Sequence, residues 1–255
     1  MSLIITGSSG FIGSNLCSLL KKKNIKFIGI DKKNNSYIKL SKFYKFDLNN
    51  VKKIEKIVKN NKVKNLIHLA AIPGFVKCHK NPKKAFQDNI KVTFNLLLLA
   101  KKYNFKKIIF ASSFSVDKFL ENPSIYGLTK FTCENICKTF AKNYGLNITI
   151  VKISNAFGPY SLHKDSAIHS FLKASINGKK LKIHNTGKQK RDFIFVAQVV
   201  EIIYKILKSK KFSQKVPIST NKFTSILEIK KMIDLISGKH NKPQFIKTPV
   251  GYDDK

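Results

Sequence analysis

Apolar and polar positions follow two periods that take turns along the first part of the chain. Leu3 to Thr6 is a short apolar run that predicts a strand. Helical spacing follows over Phe11 to Lys22, with Phe11, Ile12, Leu16, Leu19 and Leu20 on the apolar stripe. A second strand is expected over Lys26 to Asp31 and a short third over Phe43 to Phe46. A helix is expected over Val51 to Val58, with Ile54, Ile57 and Val58 inward. Asn65 to Leu69 predicts a fourth strand, Pro82 opens a helix that runs to about Tyr103, and Lys107 to Ala111 predicts a fifth strand. A helix from Ser124 to Tyr144 stops at Gly145, and Ile148 to Ile153 predicts a sixth strand. Strands alternating with helices imply a parallel, doubly wound α/β sheet with right-handed crossovers. The alternation loosens after about Asn155. There, helices over Val196 to Leu207 and Ser225 to Ile236 sit among strand candidates at Leu181 to Ile183 and Val216 to Ile218. The expected division is a doubly wound domain over residues 1–155 and a smaller part over 156–255, interleaved with it and laid over the carboxyl edge of the sheet.

A length of 255 residues with 43% hydrophobic content allows one large domain with a small annex. The longest apolar run, Leu96 to Ala100, ends at Lys101 and Lys102 and reads as a buried helix face. No 18-residue apolar run exists, so no membrane span is expected. No basic segment precedes an apolar core at the N-terminus, so no secretory signal is expected and a cytoplasmic protein is. Cys17, Cys78, Cys133 and Cys137 show no Cys-x-x-Cys pair and predict reduced thiols. His79, His163, His169, His184 and His240 have no metal-ligand spacing, so no metal is expected. The formal charge is +35, almost all of it lysine, since Arg191 is the single arginine. Such a charge suits a polyanion, nucleic acid included. The lysines are spread from end to end, however, which favours a solvated basic surface.

The glycines of Thr6-Gly-Ser-Ser-Gly-Phe-Ile-Gly13 change the picture, because a strand must turn there at once into a helix. Gly7 can take backbone angles that a Cβ forbids. Gly10 lets a phosphate approach the exposed helix N–H groups, and Gly13 lets the helix lie close on the sheet. Asp31 ends the second strand, where an acid hydrogen-bonds adenosine ribose hydroxyls and repels a 2′-phosphate. NAD is therefore expected over NADP, a preference that Lys32 and Lys33 soften. Asp47 and Leu48 follow the third strand, where an adenine ring would be gripped; Asp47 as a helix cap is the alternative.

Tyr126 and Lys130 are four apart on one helix face, and Ser113 stands at the same edge of the sheet as the fifth strand ends. A free tyrosine titrates near pH ~10, so a base near neutrality must fall by about three pH units, roughly 4 kcal/mol. The Lys130 cation and a nicotinamide ring are credible sources of that fall. Together these residues resemble the extended short-chain dehydrogenase/reductase family, the NAD-dependent sugar-nucleotide epimerases and dehydratases, of which UDP-glucose 4-epimerase is an example. Thr6 to Gly13 is similar to its T-G-x-x-G-F-I-G, and His68-Leu69-Ala70-Ala71 to its H-x-A-A. Ala111-Ser112-Ser113 is similar to its serine strand, and Ser154-Asn155-Ala156-Phe157-Gly158-Pro159 to its F-N-x-Y-G-P. Gly187-Lys-Gln-Lys-Arg191-Asp192-Phe193-Ile194 is similar to its G-x-Q-x-R-D-F-I, and Thr224-Ser225-Ile226 to the opening of its late helix.

The resemblance implies a Rossmann fold with a substrate-binding C-terminal part and a place in surface-polysaccharide synthesis. It makes Ser113, Tyr126 and Lys130 catalytic, with Tyr126 the base. It places Gly7, Gly10, Phe11, Ile12, Gly13, Asp31, Asp47, Leu48, Leu69, Ala70, Ala71, Asn89 and Lys130 around NAD, and Asn155 and Arg191 on the diphosphate of a nucleotide sugar. A buried Arg191–Asp192 salt bridge is the structural alternative, and His68 is read as a packed residue rather than an acid. The implied reaction is oxidation at the sugar 4-position followed by return of hydride to the other face, which is epimerisation. Phe114-Ser115-Val116 stands where the family's dehydratases carry an Asp-Glu pair, which disfavours dehydration. An NAD(P)-dependent keto-sugar reductase or a dehydratase of the same family, or a non-catalytic NAD- or RNA-binding protein, remains as an alternative. A homodimer through the helix bearing Tyr126 is also implied. This chain departs from the family at Val116-Asp117-Lys118, in a loop from Ser113 to Tyr126 about half the usual length, and at Ala197-Gln198. It also departs at its end: the family continues some tens of residues beyond the position of Asp253, with an arginine for the second phosphate. A truncated C-terminal part is therefore expected.

Overall fold

The computed structural model describes residues 2–117, 119, 121, 123–161, 164, 166–211, 213–240 and 242–247. Lys118, His163 and Asp253, named above, lie outside them. In chain order the elements are β1 (Leu3–Thr6), α1 (Phe11–Lys22), β2 (Ile28–Asp31), β3 (Phe43–Lys45), α2 (Val51–Asn60), β4 (Asn65–His68), α3 (Phe75–Lys80) and α4 (Pro82–Ala85). A π-turn (Phe86–Lys91) leads into α5 (Val92–Lys102), followed by β5 (Lys107–Ser113), a 3₁₀ turn (Phe114–Val116), α6 (Ile125–Tyr144) and β6 (Ile148–Ile153). Then come β7 (Asn155–Phe157), α7 (Ala167–Ile176), β8 (Leu181–His184), β9 (Lys190–Phe195), α8 (Val196–Lys208), β10 (Lys215–Ile218), β11 (Phe223–Ser225), α9 (Ile226–Ser237) and β12 (Pro243–Ile246).

The chain groups into two compact units, the first running through Ile153 and resuming with Ala197–Ile218, the second made of Ser154–Val196 and the chain from Ser219 onward. The first unit holds a seven-stranded sheet in the order β10-β6-β5-β4-β1-β2-β3, every pair parallel. β1, β4 and β6 are buried along their whole length, as strands covered on both faces must be. Ile4, Ile30, Ile54, Leu66, Leu97, Ile108 and Ile148 form the centre of its core. Val216 to Ile218 extends this sheet, pairing with Val151 to Ile153.

Local chemistry explains the ends that position the site. Ser124 caps α6 by accepting from the Gly127 N–H at 3.0 Å, and Gly145 closes it in the left-handed region at φ 64°. The helix expected from Pro82 to Tyr103 is interrupted by the π-turn. That extra residue per turn lets Asp88 and Asn89 both be buried side by side.

The second unit has a three-stranded sheet, β11-β9-β7, and a two-stranded one, β12-β8. Phe171, Leu181, Ile183, Ile226, Ile229 and Ile233 fill its core. Ser225 and Glu228 form a capping box on α9. Among the described residues, no helix is long and apolar enough to cross a membrane.

Candidate active site

The turn after β1 is built by close backbone contact. Gly7 has φ +73°, and a Cβ on it would stand 2.6 Å from the Ala70 nitrogen, so Gly7 lies against Leu69 and Ala70. A Cβ on Gly13 would meet the Gly7 carbonyl oxygen at 2.0 Å. Gly10 caps α1 with no side chain, and the first turn carries no acid. Only the Gly7 oxygen, at 3.2 Å, comes within 4 Å of where its Cβ would stand. A first turn without an acid, opened by a glycine with room beside it, fits a dinucleotide diphosphate. Phe11 is buried and Ile12 half-buried just inside the helix.

Asp31 ends β2 with one carboxylate oxygen accepting from the Ser9 N–H and the other from the Lys33 N–H, each at 3.0 Å. The acid is thus aimed by the glycine turn itself. Asp47 accepts from the N–H and the side-chain amide of Asn49, both at 2.9 Å. The Asn49 N–H is the main cause that holds its carboxyl below the ordinary range. Asp47 is not the cap of α2; Asn50 is, accepting from the Lys53 N–H at 3.1 Å. Leu48 is buried beside it.

Asn89 ties the far side of the groove together. Its side-chain oxygen accepts from the Ile72 N–H at 2.7 Å. Its amide donates to the Ile72 carbonyl at 3.2 Å and to the Thr129 hydroxyl oxygen at 3.1 Å. Thr129 in turn donates to the Tyr126 carbonyl at 2.9 Å. Asn89 therefore fixes the chain after Ala71 and the first turn of α6 against each other.

Ser113, Tyr126 and Lys130 come together where β5 ends and α6 begins. Tyr126 is half-buried and shares a side-chain hydrogen bond with Ser113. Burial pushes its hydroxyl up to about 12; the Ser113 bond pulls it down, and the Cys78 thiol adds a further rise. Lys130 is buried and donates to the Ala111 carbonyl at 2.8 Å, with its ammonium 5.0 Å from the Phe110 ring centre. Burial lowers its pKa. The Ala111 carbonyl and the Phe110 ring hold this ammonium at the end of β5. The residues after Ser113 are a 3₁₀ turn with Val116 buried, so no carboxylate stands where a dehydratase would have one.

In the second unit, Asn155 and Arg191 line a cavity of about 660 Å³. Lys164, Lys173, Lys179, Lys180 and Lys182 also line it, and no acidic residue does among the described ones. Lys164 donates to the Ala156 carbonyl at 2.9 Å, and burial brings its amine down to about 8. Asn155 donates to the Asp192 carbonyl at 3.0 Å, and Arg191 to the Lys190 carbonyl at 2.9 Å. The Asp192 carboxylate is buried among donors of the same unit. It accepts from the Ser154 and Thr220 hydroxyls, both at 3.0 Å, and from the Thr220 and Asn221 N–H groups.

Three further groups stand beside the first unit's site, of which Glu134 and Lys152 were not singled out by sequence spacing. His68, read as a packed residue, proves to be part of a chain of hydrogen bonds. Thr93 donates to the Asn89 carbonyl at 2.5 Å, so His68 Nε2–H donates to Thr93 at 3.0 Å and Nδ1 accepts from Thr6 at 2.7 Å. Burial, then the Lys130 cation, press its pKa down to about 3. Glu134 is buried on α6, accepting from Ser112 at 2.5 Å and facing Lys215 at 3.6 Å. Buried Lys152 on β6 pairs with Asp117. Each partner lies more than 20 residues away, so no local motif marks these pairs.

The model of the NAD dependent epimerase/dehydratase family matches residues 3–218. The uncharacterized UDP-glucose epimerase YtcB of Bacillus subtilis (strain 168) is 31% identical over 265 residues, covering 94% of this chain and 83% of that protein. A UDP-glucuronate 4-epimerase of Thermodesulfobacterium geofontis (strain OPF15) is 30% identical over 256 residues, covering 88% and 79%. The solved structure of UDP-glucuronic acid 4-epimerase from Bacillus cereus, in complex with UDP-glucuronic acid and NAD, superposes with a TM-score of 0.87 at 30% identity, covering 98% of this chain and 88% of that one. With a family model matched over most of its length and relatives of this identity and coverage, the chain belongs to the NAD dependent epimerase/dehydratase family.

Proposed function

We propose that the protein epimerises a nucleotide-diphosphate sugar at its 4-position through a transient 4-keto sugar. The observation that carries this is the hydrogen-bonded pair Ser113–Tyr126 with Lys130 one turn further along the same helix. NAD in the groove of the glycine turn supplies the hydride acceptor and donor. Gly7, Gly10 and Gly13 let its diphosphate reach the α1 N–H groups, Asp31 takes the ribose hydroxyls, and Asp47 and Leu48 flank the adenine. As the tyrosinate, Tyr126 Oη accepts the proton of the sugar 4-hydroxyl, becoming neutral, and returns it after the keto sugar has turned over, while Ser113 Oγ holds the same sugar oxygen. Buried Lys130, a cation 5.0 Å from the Phe110 ring centre, favours the tyrosinate as it forms. Asn155 and Arg191, on a cavity lined by lysines, suit the diphosphate of the nucleotide. The relatives named as UDP-sugar 4-epimerases support the same assignment.

The test is to incubate purified protein and NAD with a panel of UDP-, GDP-, CDP- and dTDP-sugars and to separate the products by chromatography. A 4-epimer formed by the unmodified protein and not by Tyr126→Phe is the expected result. Full turnover by Tyr126→Phe would refute the assignment of the base. A reduced sugar formed with consumption of added NADH would turn the reading to a keto-sugar reductase.

A homodimer is also proposed, through the outer face of α5 and α6. Phe94, Phe131, Ile136 and Phe140 line an apolar depression there, and Phe94, Leu98, Leu128 and Tyr144 are each more than 40% exposed. Sedimentation of a single monomeric species at micromolar concentration would refute it. The four cysteines are free and buried, which suits a reducing cytoplasm. Fractionation of cells with the protein outside the cytoplasm would overturn that placement.

A further inference from the structure

The cofactor groove carries a carboxylate that the proposed chemistry does not use. Asp88 sits on the π-turn beside Asn89, and its side chain is only 10% exposed. Its Oδ2 lies 3.1 Å from the ammonium groups of both Lys32 and Lys84. Its Oδ1 accepts from the Asn49 amide at 3.0 Å and from Lys84 at 3.3 Å. The same Asn49 amide donates to Asp47 at 2.9 Å. The Asn49 N–H, and more weakly the Lys32 and Lys84 cations, hold the Asp47 carboxyl low. Lys32 follows Asp31 directly, so the ammonium nearest in sequence to the ribose-binding acid is drawn to Asp88. Lys33 gives Asp31 its backbone N–H. Asp31, Asp47 and Asp88 thus stand together in this corner, with the Lys32 and Lys84 ammonium groups engaged by Asp88.

A phosphate monoester carries about −1.5 to −2 at neutral pH and needs free cations to be accepted. Lys32 and Lys84 are 48% and 43% exposed, long enough and wet enough to reach such a group once released. We infer that Asp88 is a positioning residue for cofactor choice: by holding Lys32 and Lys84 it keeps them from neutralising a 2′-phosphate, so that the groove takes NAD and refuses NADP. The inference rests on the reading that NAD occupies this groove.

The test measures dissociation constants of NAD and NADP by calorimetry on the full chain without sugar, at low and moderate salt. The unmodified protein is expected to bind NAD at least 100-fold more tightly than NADP. Asp88→Asn is expected to narrow that ratio tenfold or more by tightening NADP alone, with a steep loss of the gain as salt rises. Adding Lys32→Met to Asp88→Asn is expected to restore most of the wide ratio. Weakening of both dinucleotides together by Asp88→Asn would mark a merely structural residue and overturn the inference, as would equal binding of NAD and NADP by the unmodified protein. Lys32→Met alone, a change on a half-exposed side chain, keeps the idea testable if Asp88→Asn does not fold. It is expected to change the ratio less than twofold, and a fivefold widening would show Lys32 already serving the phosphate and would overturn the inference. Failure of the unmodified protein to bind either dinucleotide would sink the cofactor reading itself, and this inference with it.

Discussion

One methyl group added at Gly13 is expected to damage the fold, while the same methyl at Gly10 is expected to damage only binding. A Cβ on Gly13 would lie 2.0 Å from the Gly7 oxygen and 2.9 Å from both the Gly7 carbonyl carbon and the Ser8 Cα. That is about 1.5 Å short of ordinary contact, and every clashing atom is backbone, with no rotamer to swing away. Overpacking of this kind costs about 3 kcal/mol, and the better helix propensity of alanine returns about 1, leaving roughly 2 kcal/mol. For a chain of this size the melting temperature then falls by roughly 4 to 8 °C. Gly10 has φ −74° and ψ 175°, which alanine adopts freely, and its Cβ would meet only the Gly7 oxygen at 3.2 Å. The lost N-cap preference and the stiffer unfolded chain nearly cancel, within about 0.5 kcal/mol. That methyl would stand where the diphosphate approaches α1, so NAD binding is expected to weaken at least about tenfold, or roughly 1.4 kcal/mol. Thermal unfolding followed by circular dichroism, paired with calorimetric NAD titration, reads both quantities. A Gly13→Ala protein that melts within a degree of the unmodified one, or a Gly10→Ala protein that binds NAD normally, would refute the close-packed turn or its use as a phosphate cradle respectively.

Asn89→Ala strips the partners from both backbone groups of Ile72 and is expected to cost about 1–3 kcal/mol in urea unfolding. Asn89→Asp, which keeps the acceptor for the Ile72 N–H, should lose less. His68 is held neutral in the fold, with a pKa near 3, whereas the unfolded chain takes up its proton near 6.5. Stability is therefore lost as pH falls through 6.5 and levels off only near 3, amounting to about 2 kcal/mol at pH 5, and His68→Gln should flatten that slope in urea titrations at pH 7 and 5. Lys130→Met removes a buried cation that helps Tyr126 ionise, so kcat is expected to fall about 100-fold or more while the melting temperature holds or rises.

The first unit was largely legible from spacing because its strands and helices alternate with uninterrupted apolar runs. β1, α1 and β6 begin and end where periodicity puts them, and Gly145 stops α6 as a left-handed residue. α7 escaped notice although Ala167, Ile168, Phe171 and Ala174 have helical spacing, because it lies in a region of short elements where no alternation frames it. β7 and β11 are three residues each, too short to show a period, and β9 was read as a motif rather than a strand. β10 was legible as a strand but not as the seventh member of the parallel sheet, since a two-residue period carries no information about the partner. The site divides the same way. Gly7, Gly10, Gly13 and the Tyr126–Lys130 pair act through neighbours in sequence and are visible. His68, Asp88 and Glu134 act through Thr6, Lys32 and Ser112, and only the fold joins them.

The charge of the chain becomes intelligible from where its few acids went. Aspartate and glutamate number 14 against 49 lysines and arginines. Among the described residues four acids, Asp88, Glu134, Asp192 and Asp234, are buried, although such side chains seldom are. Asp88 gathers Lys32, Lys84 and Asn49, and Glu134 gathers Ser112 and Lys215. Asp192 gathers Ser154, Thr220 and Asn221, and Asp234 pairs with Lys230. An acid lost from the surface leaves an exposed lysine with water, at a cost of about 0–1 kcal/mol. An acid lost from Glu134 or Asp192 leaves buried or half-buried donors, such as the Ser112 hydroxyl and the Thr220 N–H, without their acceptor, at about 1–3 kcal/mol for each. In a sequence poor in acids, Asp88, Glu134 and Asp192 are retained where each holds more than one donor. The excess of lysine then needs no polyanion to explain it, and the corner around Asp88, where one carboxylate restrains two of those lysines, is where losing an acid would alter binding as well as stability.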